Sequence, residues 1–334
     1  MAKDKKIVVI GGGTGTYSVL SGLKNYTSQI TAIVSMTDSG GSAKKERDEW
    51  GLLPSSDIRK SLLALADVSS EDSLLLRQLF QYRFSQGEGF VGMTFGNLFL
   101  VTLAKILDSQ SKAIAKASEL LRIRGRVLPV TLDKIDLAAT YADGTKVIGE
   151  HFIDQPKHNG KIAIKKLTTQ PLATLNPEVE KAILESDLII IGPGGFYTTI
   201  IANLVVVGIK EAIIKSPAKK IYIQNLMTEI GQTYHFSASR FLEVLDEYLP
   251  VKLLDFVLIN NAPIPKHILS RYKKYDAEPI LVDFPKNTRY KVVAADLLSP
   301  QLIAPEKGDQ LVRSLVRHDP EKVARECIAI LDLV

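Results

Sequence analysis

Apolar residues along the chain alternate between two patterns. Short β-branched runs each end in a cluster of Gly, Asn, Asp or Ser, and apolar residues at helical spacing follow. The first run, residues 6–10 (Lys-Ile-Val-Val-Ile), breaks at Gly11, after which Tyr17, Leu20 and Leu23 share one helical face. A second run over residues 30–36 ends in Thr37-Asp-Ser-Gly-Gly-Ser42. Strand, glycine turn, helix and strand within about 30 residues predict the βαβ unit of a doubly wound sheet. Residues 57–125 then predict mainly helices, with Ile58, Leu62, Leu63 and Leu65 in the first and residues 98–107 in another.

The pattern changes at Arg126. Residues 127–130, 137–141 and 161–165 read as strands around the hairpin signal Asp143-Gly144, which predicts a small antiparallel insertion over 126–170. From Asn176 the helix and parallel-strand patterns return. Residues 187–191 run into Gly192-Pro-Gly-Gly195 and a helix from about Thr198. Residues 220–223 end at Asn225, 256–259 at Asn260-Asn261, and 280–282 at Asp283. Asp319 before Pro320 predicts the N-cap of a last helix. No internal repeat or low-complexity linker divides the chain. The expected architecture is one α/β domain over residues 1–334: Rossmann-like and doubly wound, with a mainly parallel sheet and the antiparallel β insertion inside it.

Composition sharpens this picture only by exclusion. With 334 residues, 46% apolar and 24% charged, the chain matches ordinary globular proteins. Cys327 is the single cysteine, so neither an internal disulfide nor a Cys-rich zinc site is available. Lys plus Arg number 42 against 37 Asp plus Glu, and a net charge of +5 suits an anionic small ligand without implying nucleic acid. The run Lys44-Lys-Glu-Arg-Asp-Glu49 mixes signs and reads as a solvated loop or helix face. No apolar run reaches membrane-spanning length, and the N-terminus has no signal-peptide pattern, so a soluble cytoplasmic protein with no membrane span is expected. The five histidines show no metal-ligand spacing, and His151 and His158 read as surface residues of the insertion. A homo-oligomer stays open.

In parallel α/β sheets, ligands gather beyond the C-terminal strand ends, near the switch in strand order. Here those ends carry Gly11, Gly12, Gly13, Thr14 and Gly15; Asp38, Ser39, Gly40 and Gly41; Gly192, Pro193, Gly194 and Gly195; Asn225; and Asn260. Two glycine loops, each leading into a helix whose free N–H groups face the turn, predict a nucleotide or phosphate site. The first loop is an imperfect dinucleotide fingerprint, with Thr16 or Ser18 in the third glycine place. It leaves a nicotinamide enzyme open, with Asp38 as the ribose acid. The absence of Gly-x-x-x-x-Gly-Lys-Ser/Thr tells against a P-loop ATPase. Asp38 reads equally as a ribose or Mg²⁺ ligand and as an ordinary Asx turn. Asp57 reads as a site acid or an N-cap, and Arg59, in a first helical turn where the macrodipole disfavours a cation, suggests an anionic partner. Asp38, Asp57 and Arg59 are the candidate catalytic residues.

These blocks resemble the CofD/YvcK family. The resemblance is carried, in order, by Gly11-Gly-Gly-Thr-Gly-Thr16, Met36-Thr-Asp-Ser-Gly-Gly-Ser42, Leu53-Pro-Ser-Ser-Asp-Ile-Arg59, Phe95-Gly-Asn-Leu98, Gly192-Pro-Gly-Gly-Phe-Tyr-Thr-Thr199, Asn225-Leu-Met-Thr-Glu-Ile-Gly231, Asn260-Asn261 and Arg317-His-Asp-Pro320. One branch of the family is 2-phospho-L-lactate transferase, which moves phospholactyl from a guanosine diphosphate carrier to a deazaflavin alcohol with Mg²⁺. The other is the bacterial gluconeogenesis factors, which bind UDP-sugars and support cell shape and envelope growth on gluconeogenic carbon.

Asp57-Ile-Arg59 and the Arg317-His-Asp-Pro320 ending are similar to the second branch. The resemblance implies a UDP-sugar bound across both glycine loops. It places phosphates on residues 12–16 and 192–195, with polar recognition by Asp38, Asn225 and Asn260. Asn97, Met227 and Thr228 join the implied binding set from their own blocks. The family usually shows a second acid at Ser39, a histidine at Met93 and a glutamate at Gln232. Those departures weigh against transferase chemistry and leave Asp38 a weak Mg²⁺ ligand, so no cofactor is assured and the expected role is binding rather than turnover.

Overall fold

The computed structural model describes residues 4–300 and 315–332. In chain order its strands are β1 (Ile7–Gly11), β2 (Ile30–Val34), β3 (Arg126–Pro129), β4 (Asp136–Tyr141), β5 (Lys146–Ile148), β6 (Ile164–Gln170), β7 (Leu188–Ile191), β8 (Lys219–Ile223), β9 (Phe256–Asn260) and β10 (Lys291–Ala295). Seven of them form one sheet in the order β10-β9-β8-β7-β1-β2-β3. Every pairing in it is parallel. Strands β5-β4-β6 form the separate antiparallel sheet. The expected fold class is therefore present: a Rossmann-like, doubly wound parallel sheet with a small antiparallel addition.

Parallel strands covered by helices on both faces read as unbroken apolar runs, because each alternate side chain enters a different core. Ile7 and Val9 of β1 pack on one face with Val19 and Leu20 of α1 (Gly13–Leu23), Ile58 and Leu62 of α3 (Ser56–Leu65), and Cys327 of the last helix, Pro320–Asp332. Val8 and Ile10 face the other core, with Phe196, Tyr197, Ile200 and Phe241. Fully burying each such aliphatic side chain contributes roughly 1.5–3 kcal/mol. Asp319 caps the last helix as expected, its Oδ1 accepting from the N–H groups of Glu321 and Lys322, both at 3.0 Å.

The strand order reverses between β1 and β7. From β1 the chain steps outward to β2 and β3; it then returns to the other side of β1 and steps outward through β8, β9 and β10. The C-terminal ends of β1 and β7 are where the two glycine loops leave the sheet.

Three sequence expectations are corrected. Residues 127–130 are expected in the antiparallel insertion, yet β3 pairs in parallel with β2, Ala32 opposite Val127, so the antiparallel element begins at β4. A short β run carries no mark of which sheet will accept it. Residues 280–282 are expected to be a strand, but they are irregular, with Leu281 68% exposed. The outer place beside β9 is taken by Lys291–Ala295. The run 44–49 is expected to be a solvated loop or helix face; it is part of helix α2 (Gly41–Asp48) with Lys44, Asp48 and Glu49 exposed, but Glu46 is fully buried. Among the described residues no helix is long and apolar enough to cross a membrane.

Candidate functional site

The two glycine loops touch. A Cβ on Gly15 would stand 2.4 Å from the Pro193 carbonyl oxygen, and one on Gly194 would stand 3.1 Å from the Gly12 carbonyl oxygen. Glycine is what lets the two backbones approach this closely. Gly13 opens α1 at φ +66°, and Gly192 has φ +77°. Thr16 fastens the first loop: its Oγ1 accepts from Gly12 N at 2.7 Å and donates to Pro193 O at 3.3 Å. Asn203, fully buried, donates from Nδ2 to Gly11 O at 2.9 Å and to Thr199 O at 2.6 Å. Asn225 Nδ2 donates to Gly194 O at 2.8 Å, while its Oδ1 is buried without a partner. The N-terminus of α1, with its free N–H groups and positive dipole end, opens into this junction.

Acids stand beside it. Asp38 Oδ1 accepts from Gly40 N at 3.0 Å, so the Asx turn is formed. Burial first, and then the Asp57 charge, push the Asp38 carboxyl above its ordinary range. Asp57 lies against the first loop, its Oδ2 2.3 Å from a Cβ built on Gly12. Ser55, not Asp57, takes the N-cap position of α3. Lys60, one turn further along α3, reaches Asp57 at 3.4 Å. Sequence reasoning passes over Lys60, although an i,i+3 spacing from Asp57 is the local signal for such a pair.

Arg59 and Asn97 meet each other in a buried network. Arg59 Nε donates to Asn97 Oδ1 at 2.8 Å and its Nη1 to Phe80 O at 3.4 Å. Asn97 Nδ2 donates to Glu46 Oε1 at 2.8 Å and Ser42 Oγ at 3.0 Å, and Ser55 N donates to Glu46 Oε2 at 2.8 Å. This buried network ties α2, α3 and α5 (Phe95–Ile106) together, with Arg59 bonded to a side-chain amide oxygen and a backbone carbonyl oxygen within it. Burial raises the Glu46 carboxyl to about 7 despite these donors.

The other expected residues are held locally. Thr228 exchanges hydrogen bonds with the Glu278 backbone at 2.8 and 3.0 Å, and the neighbouring Met227 bridges to Pro279. Asn260 Oδ1 accepts from Leu297 N at 3.0 Å, pinning the end of β9 to the chain beyond β10. Met93 is buried, and Gln232 Oε1 accepts from Tyr197 N at 3.2 Å at the start of the helix after the second loop. Ser39 Oγ accepts from His151 N at 3.1 Å. His151 is expected at the surface, but it is half-buried, its Nδ1 3.2 Å from a Cβ built on Gly40. Among the described residues, no cluster of three or more metal-ligating side chains is present.

The 2-phospho-L-lactate transferase CofD family model matches residues 7–298. A gluconeogenesis factor of Bacillus subtilis (strain 168) is 37% identical over 331 residues, 99% of this chain and 99% of that protein. A gluconeogenesis factor of Halalkalibacterium halodurans is 39% identical, covering 96% of this chain and 95% of that one. A crystal structure of a UPF0052 family member from Bacillus halodurans superposes with a TM-score of 0.86 at 35% identity, covering 98% of this chain and 99% of that one. The chain therefore belongs to the CofD/YvcK family, in the branch of the gluconeogenesis factors.

Proposed function

We propose that the protein binds a nucleotide sugar, a UDP-sugar in the first instance, with the diphosphate at the joined glycine loops. The observation that carries this reading is the loop-to-loop approach at Gly15 and Pro193, where the strand order reverses. Both the α1 N-terminus and the glycine backbone there suit an anion. The protein would act in the cytoplasm and support cell shape and envelope growth under gluconeogenic conditions, as the family resemblance implies. A thermal-shift panel of UDP-, GDP- and nicotinamide nucleotides tests it, since a ligand that binds the folded state raises its melting point. Stabilisation by UDP-sugars is expected; none by any nucleoside diphosphate would refute the site.

The second reading is a Mg²⁺-dependent, phospholactyl-type transferase, and the Asp38–Asp57 pair favours it. Lys60 offsets the charge of Asp57, and a cation at Asp38 would offset the remaining repulsion of a diphosphate. One or two carboxylates plus ligand phosphates are what Mg²⁺ ordinarily takes. Asp57 thus supplies the second acid that Ser39 does not, and the donor set fits Mg²⁺. Incubation with Mg²⁺ and UDP-N-acetylglucosamine, and separately with a phospholactyl-guanosine diphosphate donor and a deazaflavin acceptor, separates the readings. Binding without nucleotide release supports a sensor, whereas repeated release lost in Asp38→Ala makes the protein an enzyme.

A further inference from the structure

The segment that links β5 to β6 is fastened at two distant places on the main sheet. At one end, helix α7 (Glu150–Asp154) begins against the loop after β2: His151 N donates to Ser39 Oγ at 3.1 Å, and Gly149, at φ +102°, passes close to the same hydroxyl. At the other end it meets the loop after β8. Gly231 N donates to Gly160 O at 2.7 Å, and Gln232 Nε2 to Asp154 Oδ1 at 3.3 Å. Strands β2 and β8 are separated in the sheet by β1 and β7. Three strand spacings are roughly 14 Å. A segment bonded to both loops therefore crosses the end of the sheet past the two strands that carry the glycine loops. Ile153 anchors it from below, buried in the core with Phe196 and Tyr197.

We infer that this crossing segment is a wall of the nucleotide crevice, and that His151 with Asp38 binds vicinal hydroxyls of a sugar there. The assignment rests on the nucleotide reading above. The imidazole lies on Gly40, whose N–H holds Asp38 in its turn, so ring and carboxylate flank one corner of the crevice. A carboxylate accepts from two adjacent hydroxyls, and an imidazole adds a donor or acceptor beside it. Phosphate belongs elsewhere, at the N–H-rich glycine loops, where the α1 N-terminus favours an anion. Hydroxyls of this kind come from two sources, the ribose or the sugar joined to the diphosphate.

Calorimetric titration of the full chain and its His151→Ala and His151→Gln variants with UDP-N-acetylglucosamine, UDP and inorganic pyrophosphate, each with Mg²⁺, tests the assignment. His151→Ala is expected to weaken UDP-N-acetylglucosamine roughly five- to tenfold, the worth of one or two neutral hydrogen bonds, with pyrophosphate unchanged. His151→Gln should restore most of the loss. An equal loss for UDP identifies the ribose; a loss confined to UDP-N-acetylglucosamine identifies the linked sugar. If all three ligands weaken together, or none does, the assignment to His151 is overturned while the nucleotide site stands. If the unmodified protein binds neither uridine ligand, both readings fall.

Discussion

The Pro193 carbonyl oxygen lies 2.4 Å from where a side chain on Gly15 would begin, so two loops 178 positions apart in the sequence occupy one another's van der Waals space. Gly13, two residues earlier, has nothing within 4 Å of its Cβ position but sits at φ +66°. The two glycines are thus required for different reasons, one for space and one for backbone conformation. Gly15→Ala should cost about 1–3 kcal/mol or more, since the backbone of the second loop must move. Gly13→Ala should cost only about 1 kcal/mol, the strain of its backbone angle. Urea unfolding measures both, and the expected order reverses if loop contact is unimportant.

Replacing Asn203 removes the donor that joins Gly11 O to Thr199 O across the two loops. Asn203→Ala should destabilise the fold by about 1–3 kcal/mol, because the Gly11 carbonyl is left unpaired in a buried place. Asn203→Asp should be no better, since a carboxylate cannot donate. A stability equal to wild type in either variant would mean that water satisfies these carbonyls.

On the transferase reading, Mg²⁺ should strengthen nucleoside diphosphate binding through Asp38 and Asp57, so titration with UDP should be tighter in Mg²⁺ than in EDTA; on the binding reading the two should differ little. Asp38→Asn and Asp57→Asn should each reduce that difference. A metal effect that survives both substitutions would locate the ion elsewhere, and no metal effect in wild type would leave Lys60 as the counter-charge at Asp57.

Two buried groups should give opposite pH slopes to stability. Glu46 is raised from 4.5 to about 7, so between those values the folded state holds a proton that the unfolded state has lost, and stability falls as pH rises. His318 is lowered from 6.5 to about 4 by burial, so between those values the unfolded state binds the extra proton, and stability rises with pH. Each contributes at most about 3 kcal/mol across its window, and the two largely cancel where they overlap. In Glu46→Gln, stability should climb from pH 4 to 6.5; in His318→Gln, it should decline from pH 4.5 to 7. Parallel pH curves for wild type and both variants would show that neither group titrates in these windows.

Local pattern is enough to determine most of the strands and the glycine turns, because a strand buried on both faces must be apolar throughout and a tight βα turn needs glycine. That is why residues 187–191 and the loop from Gly192 are legible in the amino-acid pattern alone. The chemistry of polar side chains is not local. Arg59 reads as seeking an anion, and only packing brings Asn97 and Phe80 O to it; Glu46 reads as solvated, and only the meeting of α2, α3 and α5 buries it. His151 carries no spacing signal, since its neighbours Ser39 and Gly40 lie more than a hundred residues earlier. Likewise, residues 127–130 and 280–282 have strand composition, but sheet membership depends on which edge is free to pair, and only the assembled sheet decides that. Backbone preferences and apolar periodicity act over a few residues and are written in the sequence. Burial, charge pairing and strand neighbours are properties of distant segments brought together.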